Sequence, residues 1–370
     1  MSIDPAVLYP KQRLAAVAGA VRGAGLGAVL LTPGPDLRYV TGYDAKQLER
    51  LTCLAVPAEG AAFLVVPALE HKAAMASPVA ALGIDVVTWG ETEDAFAIVK
   101  ARLGDPATLA LSDRMWALNV LAFRETFPAA RQVLASQVLS DLRIRKSAAE
   151  VEALRQAGAA IDRVHAQVPG WLKPGQTERQ VGARIAEAIL AEGHVQVDFT
   201  IVGSGPNAAS PHHEVSDRVL QAGDVVVVDI GGTMESGYCS DCTRTYAIGE
   251  PPADFAAYYA VLKQAQDAAC DWARPGVSAE SVDAAARDII IEAGYGQWFI
   301  HRTGHGIGLE SHEDPYIVSG NATPLAPGMA FSVEPGIYPG PHGARIEDIV
   351  VCTEDGAERL NNAPRDLVIV

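Results

Sequence analysis

The apolar positions change period along the chain. From Lys11 to Gly25 they recur at helical spacing, and Ala28-Val-Leu-Leu-Thr then runs apolar to the turn Pro33-Gly-Pro, which predicts a helix followed by a strand. Leu51 to Val56 and Ala61 to Val66 bracket Pro57-Ala-Glu-Gly60 and predict a hairpin. Helical stretches near 70–81, 93–103 and 115–126 alternate with strand-like Ile84-Asp-Val-Val and Thr108-Leu-Ala-Leu. Residues 1–138 therefore read as a small α/β domain. It holds one histidine, His71, and no dense acidic cluster, so no chemistry is expected of it.

A boundary is expected near Val138-Leu-Ser-Asp-Leu-Arg-Ile-Arg-Lys146, giving domains 1–138 and 139–370. Beyond it, Ser147-Ala-Ala-Glu150 has capping-box spacing and predicts a long helix to about Val168. The second domain then repeats itself. Pro174-Gly175, Val181, Ile189, Gly193, Gln196 and Gly203 recur as Pro275-Gly276, Val282, Ile290, Gly294, Gln297 and Gly304, at a constant offset of 101. At an offset of 105, Leu220-Gln-Ala-Gly-Asp-Val-Val-Val-Val-Asp229-Ile-Gly matches Leu325-Ala-Pro-Gly-Met-Ala-Phe-Ser-Val-Glu334-Pro-Gly. A duplicated unit of this kind pairs about a pseudo-twofold axis, and clefts form at such junctions.

Composition narrows the function. The 370 residues are 49% hydrophobic, ample for two cores. A net charge of -16 argues against nucleic-acid binding and favours small or cationic ligands. No apolar run reaches the roughly 18 residues of a membrane helix. Met1-Ser-Ile-Asp-Pro has no basic region followed by an apolar stretch, so no secretory signal is expected. Five cysteines, odd and sparse, fit a reducing cytoplasm.

Each look-alike segment is read as an apolar strand closed by a carboxylate, Asp229 or Glu334. Such an end is costly to bury without a cation beside it, which points to a metal site at the repeat axis. Asp241 lies across the turn-rich Gly231–Gly237 and would share a cleft with Asp229 if antiparallel strands meet there. His301-Arg-Thr-Gly-His305-Gly-Ile-Gly308-Leu-Glu-Ser-His312 sets three histidines among glycines, which let backbone approach a site closely. Arg345 and Glu347 share a strand face, and the apolar Ile349-Val-Val351 that follows predicts a buried strand. Of the tandem His212-His213, one is expected to be an ordinary loop residue. Cys239-Ser-Asp-Cys242 has no second cysteine pair to complete a zinc site and lies in a strand-like run, unlike a thioredoxin motif. No phosphate-binding glycine loop or GxSxG elbow is present.

Asp229, Asp241, His305, Glu334 and Glu347, in this order and with these surroundings, resemble the ligands of the pita-bread metallopeptidases, in the branch of Xaa-Pro dipeptidases (prolidases) and Xaa-Pro aminopeptidases. The resemblance is strong over 138–370 and rests on length and pattern before that. It implies an α/β chain with a creatinase/prolidase-type N-terminal domain and a pita-bread catalytic domain. It also implies two divalent ions, manganese or cobalt and sometimes zinc, that share a hydroxide. Asp229 would hold one ion, His305 and Glu334 the other, with Asp241 and Glu347 bridging. His312 would hydrogen-bond the substrate carbonyl or oxyanion, and His212 would orient the peptide and move a proton. His301 would line the proline pocket, Tyr338 would stand near the metals and Arg345 would hold Glu347. The implied substrates are small proline-containing peptides, and the implied assembly is a homodimer. Met234 stands where many relatives carry tyrosine, a departure that would reshape the pocket. Within this branch, dipeptidase is read ahead of aminopeptidase. A metal-free creatinase-like hydrolase and a non-catalytic binding protein are the other readings, and the complete ligand set weighs against both.

Overall fold

The hairpin around Pro57-Ala-Glu-Gly60 forms between β2 (Cys53–Pro57) and β3 (Phe63–Pro67), with Gly60 in the left-handed region at φ 98°. In the computed structural model, which describes residues 3–370, these strands belong to a six-stranded sheet. β1 (Ala28–Leu31) pairs antiparallel with β2 and parallel with β5 (Thr108–Leu111). β4 (Asp85–Trp89) and β6 (Arg131–Leu134) close the two edges. Ala28, Leu30, Cys53, Ala55, Phe63 and Val65 pack with Val99 and Phe123 on one face. Val29, Leu31, Leu54, Val56, Leu64 and Val66 on the other face are also buried. Burial on both faces explains why the strands read as apolar runs rather than alternations.

Three local differences from the sequence reading have physical causes. The helix expected over 70–81 is broken into His71–Ala76 and Val79–Leu82, because Pro78 has no N–H to continue the ladder. The edge strand Arg131–Leu134 is too short and polar to announce itself. The helix Ser136–Arg143 packs with the first unit, where Tyr39 Oη donates to the Leu142 carbonyl (3.0 Å) and Arg143 pairs with Asp36 (2.7 Å). The division between compact units therefore falls after Arg143 rather than after 138.

The second unit, 144–370, begins with the expected cap. Glu150 N donates to Ser147 Oγ (3.4 Å) and Ser147 N to Glu150 Oε2 (2.9 Å), opening the helix Ala148–His165. The repeat is visible in backbone detail. Helices Ala148–His165 and Phe255–Trp272 both have 18 residues, and Glu178–Ala191 and Ala279–Glu292 both have 14. Gly175 and Gly276, Gly193 and Gly294, and Gly223 and Gly328 all take positive φ between 85° and 107°. Gly175 N donates to the Leu220 carbonyl (3.0 Å) as Gly276 N does to Leu325 (2.9 Å). Each half thus lays two helices against a sheet.

In the first half, β7 (His194–Ser204), β8 (Val225–Met234) and β9 (Cys239–Ala247) pair antiparallel, and β17 (Val368–Ile369) joins β9. In the second half, β10 (Gly304–Gly306), β11 (Glu313–Ile317), β12 (Ala330–Val333), β15 (Asp348–Cys352) and β16 (Ala357–Arg359) form a sheet in the order β11-β10-β12-β15-β16. β13 (Gly336–Ile337) and β14 (Ala344–Arg345) form a small ribbon between β12 and β15. Among the described residues, no helix is long and apolar enough to cross a membrane.

Candidate metal centre

Asp229 does not close its strand as expected but sits in the middle of β8, which runs on to Met234. Pairing with both β7 and β9 sustains it. Asp229 lies opposite Thr243 and Asp241 opposite Gly231, so the two carboxylates stand diagonally on one face of the sheet. Gly231 is required there, since a Cβ would lie 2.5 Å from the Phe199 ring. His305 comes from β10, Glu334 directly follows β12, and Glu347 sits between β14 and β15.

These residues converge. Ligand atoms of His305, Glu334 and Glu347 lie within 4.8 Å of one another, as do those of Asp229, Asp241 and Glu347, and those of Asp241, His305 and His312. Asp229, Asp241, His305 and Glu347 are buried, and Glu334 is partly so. They floor a cavity of about 540 Å³ whose walls include Phe199, Ile201, His212, His301, Arg302 and His312. Each candidate residue of the sequence analysis lines this cavity except Tyr338, which stands behind it and accepts from Arg345 (2.8 Å) and contacts His301 Nε2 (3.0 Å).

Arg345 touches a different partner from the one expected. Its NH2 donates to Asp229 Oδ2 (2.5 Å) and to the Pro211 carbonyl (3.2 Å), while its Nε donates to Thr243 Oγ1 (3.1 Å). Glu347 is reached only through Thr243, whose hydroxyl donates to Glu347 Oε2 (2.7 Å). Thr243 escaped the sequence reading, though it follows Asp241 by two along a strand and so had to share its face. Ser332 was missed for the same reason. It stands two residues before Glu334, accepts from His305 N (3.0 Å) and donates to Glu334 Oε1 (2.9 Å).

Electrostatics divide the acids. Burial, then Glu347 and Asp229, push Asp241 well above the carboxylate range. Burial, then Glu334 and Asp229, do the same to Glu347. Burial also raises Asp229, against the pull of Arg345. Burial acts upward on Glu334 too, but its contact with His305 (3.1 Å) prevails and holds it at about 2. Asp229 Oδ1 and Glu347 Oε1 are buried and accept from no group among the described residues. Four carboxylates with two orphaned oxygens and one imidazole form a hard, anionic donor set that fits divalent cations.

At the rim, the His312 ring packs against that of His305, with centroids 3.8 Å apart and planes tilted by 35°. Arg302 approaches His312 Nδ1 (3.3 Å), and a guanidinium can only donate, so neutral His312 carries its proton on Nε2. Burial and then His305 lower the His312 pKa to about 4, and burial lowers that of His301. Of the tandem pair, His212 faces the cavity, whereas His213 Nε2 contacts Glu178 (2.7 Å). Met234 lies roughly 16 Å along the strand from Asp229. It ends β8 at the hairpin turn and lines no part of the cavity, so it does not reshape the pocket from within. Cys239 and Cys242, three apart on one strand, point to opposite faces, and all five cysteines are buried and outside any disulfide.

The family model of metallopeptidase family M24 matches residues 152–354, and that of the creatinase/prolidase N-terminal domain matches 13–145. The chain belongs to metallopeptidase family M24. Both matches fall in this one chain. It is 55% identical over 361 residues to the "probable dipeptidase PepE" of Mycobacterium tuberculosis, covering 97% of this chain and 96% of that protein. It is 37% identical over 355 residues to the Xaa-Pro dipeptidase of Lactobacillus delbrueckii subsp. lactis, covering 94% and 95%. Among solved structures, the dipeptidase PepE of Mycobacterium ulcerans matches with a TM-score of 0.93 and 55% identity over the whole of both chains. The two-unit α/β architecture, with its duplicated pita-bread half, is that of this family.

Proposed function

We propose that this M24 peptidase is a metal-dependent dipeptidase that hydrolyses the bond before proline in Xaa-Pro dipeptides. The convergence of five ligand residues around two orphaned carboxylate oxygens carries the reading. The Xaa-Pro dipeptidase activity named for the Lactobacillus relative supports the substrate class. Asp229, Asp241 and Glu347 would hold one divalent ion. His305 and Glu334 would hold a second, sharing Glu347 and Asp241 with the first. The oxygen-rich set suits Mn²⁺, with Co²⁺ or Zn²⁺ able to replace it. When bound, such ions polarise the scissile carbonyl and make a water nucleophilic at neutral pH.

The chain's own groups do the rest. His312, with its proton on Nε2, donates to the substrate carbonyl and to the oxyanion that develops from it. His212, exposed on the cavity wall, orients the peptide and carries a proton. His301 lines the pocket, held by Tyr338, and Arg345 fixes Asp229. Phe199 and Ile201 give the cavity an apolar wall. The domains are assigned as 1–138 and 139–370 from the sequence, with the compact units parting after Arg143. A homodimer in a reducing cytoplasm completes the reading, which the free thiols favour.

The reading is tested by turnover of Ala-Pro and Ala-Pro-Ala before chelation, after it, and after Mn²⁺ is restored. Cleavage of Ala-Pro that chelation abolishes and Mn²⁺ restores is expected. Cleavage of the longer peptide alone would make the chain an Xaa-Pro aminopeptidase instead. Activity surviving complete metal removal would point to the creatinase-like alternative.

A further inference from the structure

Glu178 opens the helix Glu178–Ala191 and is fully buried, yet no step described above uses it. A buried carboxylate costs several kcal/mol unless its lone pairs are filled. Here they are filled from a single stretch of chain. Oε1 accepts from Ser204 N (2.8 Å), Ser204 Oγ (2.7 Å) and Asn207 Nδ2 (3.0 Å). Oε2 accepts from Ser216 Oγ (2.5 Å) and Ser216 N (3.2 Å), and lies 2.7 Å from His213 Nε2. Burial pushes this carboxyl up, but the donors outweigh it and hold the group at about 2, so it is the ionised form they enclose. The helix start adds two more ties, as Glu178 N donates to the Arg218 carbonyl and Arg179 N to that of Ser216 (both 3.0 Å). One anion at a helix N-terminus thus clasps both ends of residues 204–216.

The clasped stretch carries two pieces of the cavity wall. Pro211 offers its carbonyl to Arg345, and His212 faces the cavity. His212 is itself exposed, with no ion pair among the described residues, while its neighbour His213 is tied to Glu178. We infer that Glu178 is a positioning residue for His212, holding residues 204–216 as a preformed wall so that this histidine meets the substrate already in place. The inference rests on the dipeptidase reading for its kinetic test, because misplacing a group by about 1 Å costs on the order of 10²-fold in rate.

The experiment is a double-mutant cycle of Glu178→Gln with His212→Ala on the Mn²⁺-loaded full chain, read as kcat/KM on Ala-Pro. Limited proteolysis within 205–216 is read on the same proteins. In the His212 background, Glu178→Gln should lower kcat/KM by about tenfold or more. In the His212→Ala background it should cost less than about twofold, since groups acting through one another are not additive. Wild-type kinetics for Glu178→Gln, or equal losses in both backgrounds, would overturn the inference. If Glu178→Gln does not fold, Ser216→Ala replaces it in the same cycle with a smaller effect of the same pattern. If the wild-type chain leaves Ala-Pro intact, the dipeptidase reading has failed. The clasp is then judged by proteolysis alone, where faster cleavage in the variant supports it and equal cleavage overturns it.

Discussion

Arg345 donates to Asp229 Oδ2 across 2.5 Å, while the buried Asp229 Oδ1 has no donor among the described residues. The guanidinium, 2% exposed, is the cation that opposes the acids in the metal-free chain. Removing one member of a buried pair costs about 3–5 kcal/mol because the partner charge stays behind. Arg345→Met should therefore destabilise the metal-free chain by that order. It should cost the Mn²⁺-loaded chain less, since bound cations then oppose the same carboxylates. Thermal unfolding with and without Mn²⁺ measures both, and equal losses would count against this role.

Glu347 and Asp241 each belong to two of the three convergent donor groups. Asp241→Ala or Glu347→Ala should bind fewer than two ions per chain, read by metal analysis after dialysis. Two ions at full occupancy in either variant would contradict the bridging roles.

His312 packs against the His305 ring and receives a hydrogen bond from Arg302 on Nδ1. His312→Ala should lower kcat on Ala-Pro by roughly 10²-fold, the loss expected for one donor to a developing oxyanion. Metal content should stay at the wild-type level. Unchanged kcat would remove His312 from the chemistry.

His165 is buried, with Nδ1 2.9 Å from Tyr246 Oη and Nε2 3.0 Å from the Cys242 carbonyl. Burial, then Arg244, lower its pKa from 6.5 to about 3. Between those values the unfolded chain binds more protons than the folded one, so acid favours unfolding and stability rises with pH. This contribution is fully present above pH 6.5 and falls by on the order of 1.4 kcal/mol per pH unit on acidification towards 3. His165→Gln should flatten the dependence of unfolding free energy on pH between 4 and 6 relative to wild type, and an identical slope would refute the assignment.

The convergence of these acids with His305 was legible because it is carried by local, repeated signals. The glycines 175/276, 193/294 and 223/328 mark the same turns twice, and the carboxylates Asp229 and Glu334 share the offset of the last pair. The capping box at Ser147 and the hairpin around Gly60 were readable for the same reason, since caps and tight turns are decided within a few residues. The strand through Asp241 is buried along its whole length and also contains Thr243, whose role went unread until the strand had a partner. Arg302 stood beside His301 without any pattern to distinguish it from a solvated cation.

What the sequence determined by itself was the family of elements, the duplication and the acidic and histidine residues that converge, because period, turn chemistry and residue type are local properties. What only the tertiary structure decided was which groups meet. Arg345 turned to Asp229, 116 residues away, rather than to Glu347, two residues away. Glu178 gathered donors from residues 204 to 216, and Met234 ended far from the cavity it had been expected to shape. Those outcomes depend on strand register and on the desolvation of particular atoms, which exist only once distant segments have packed.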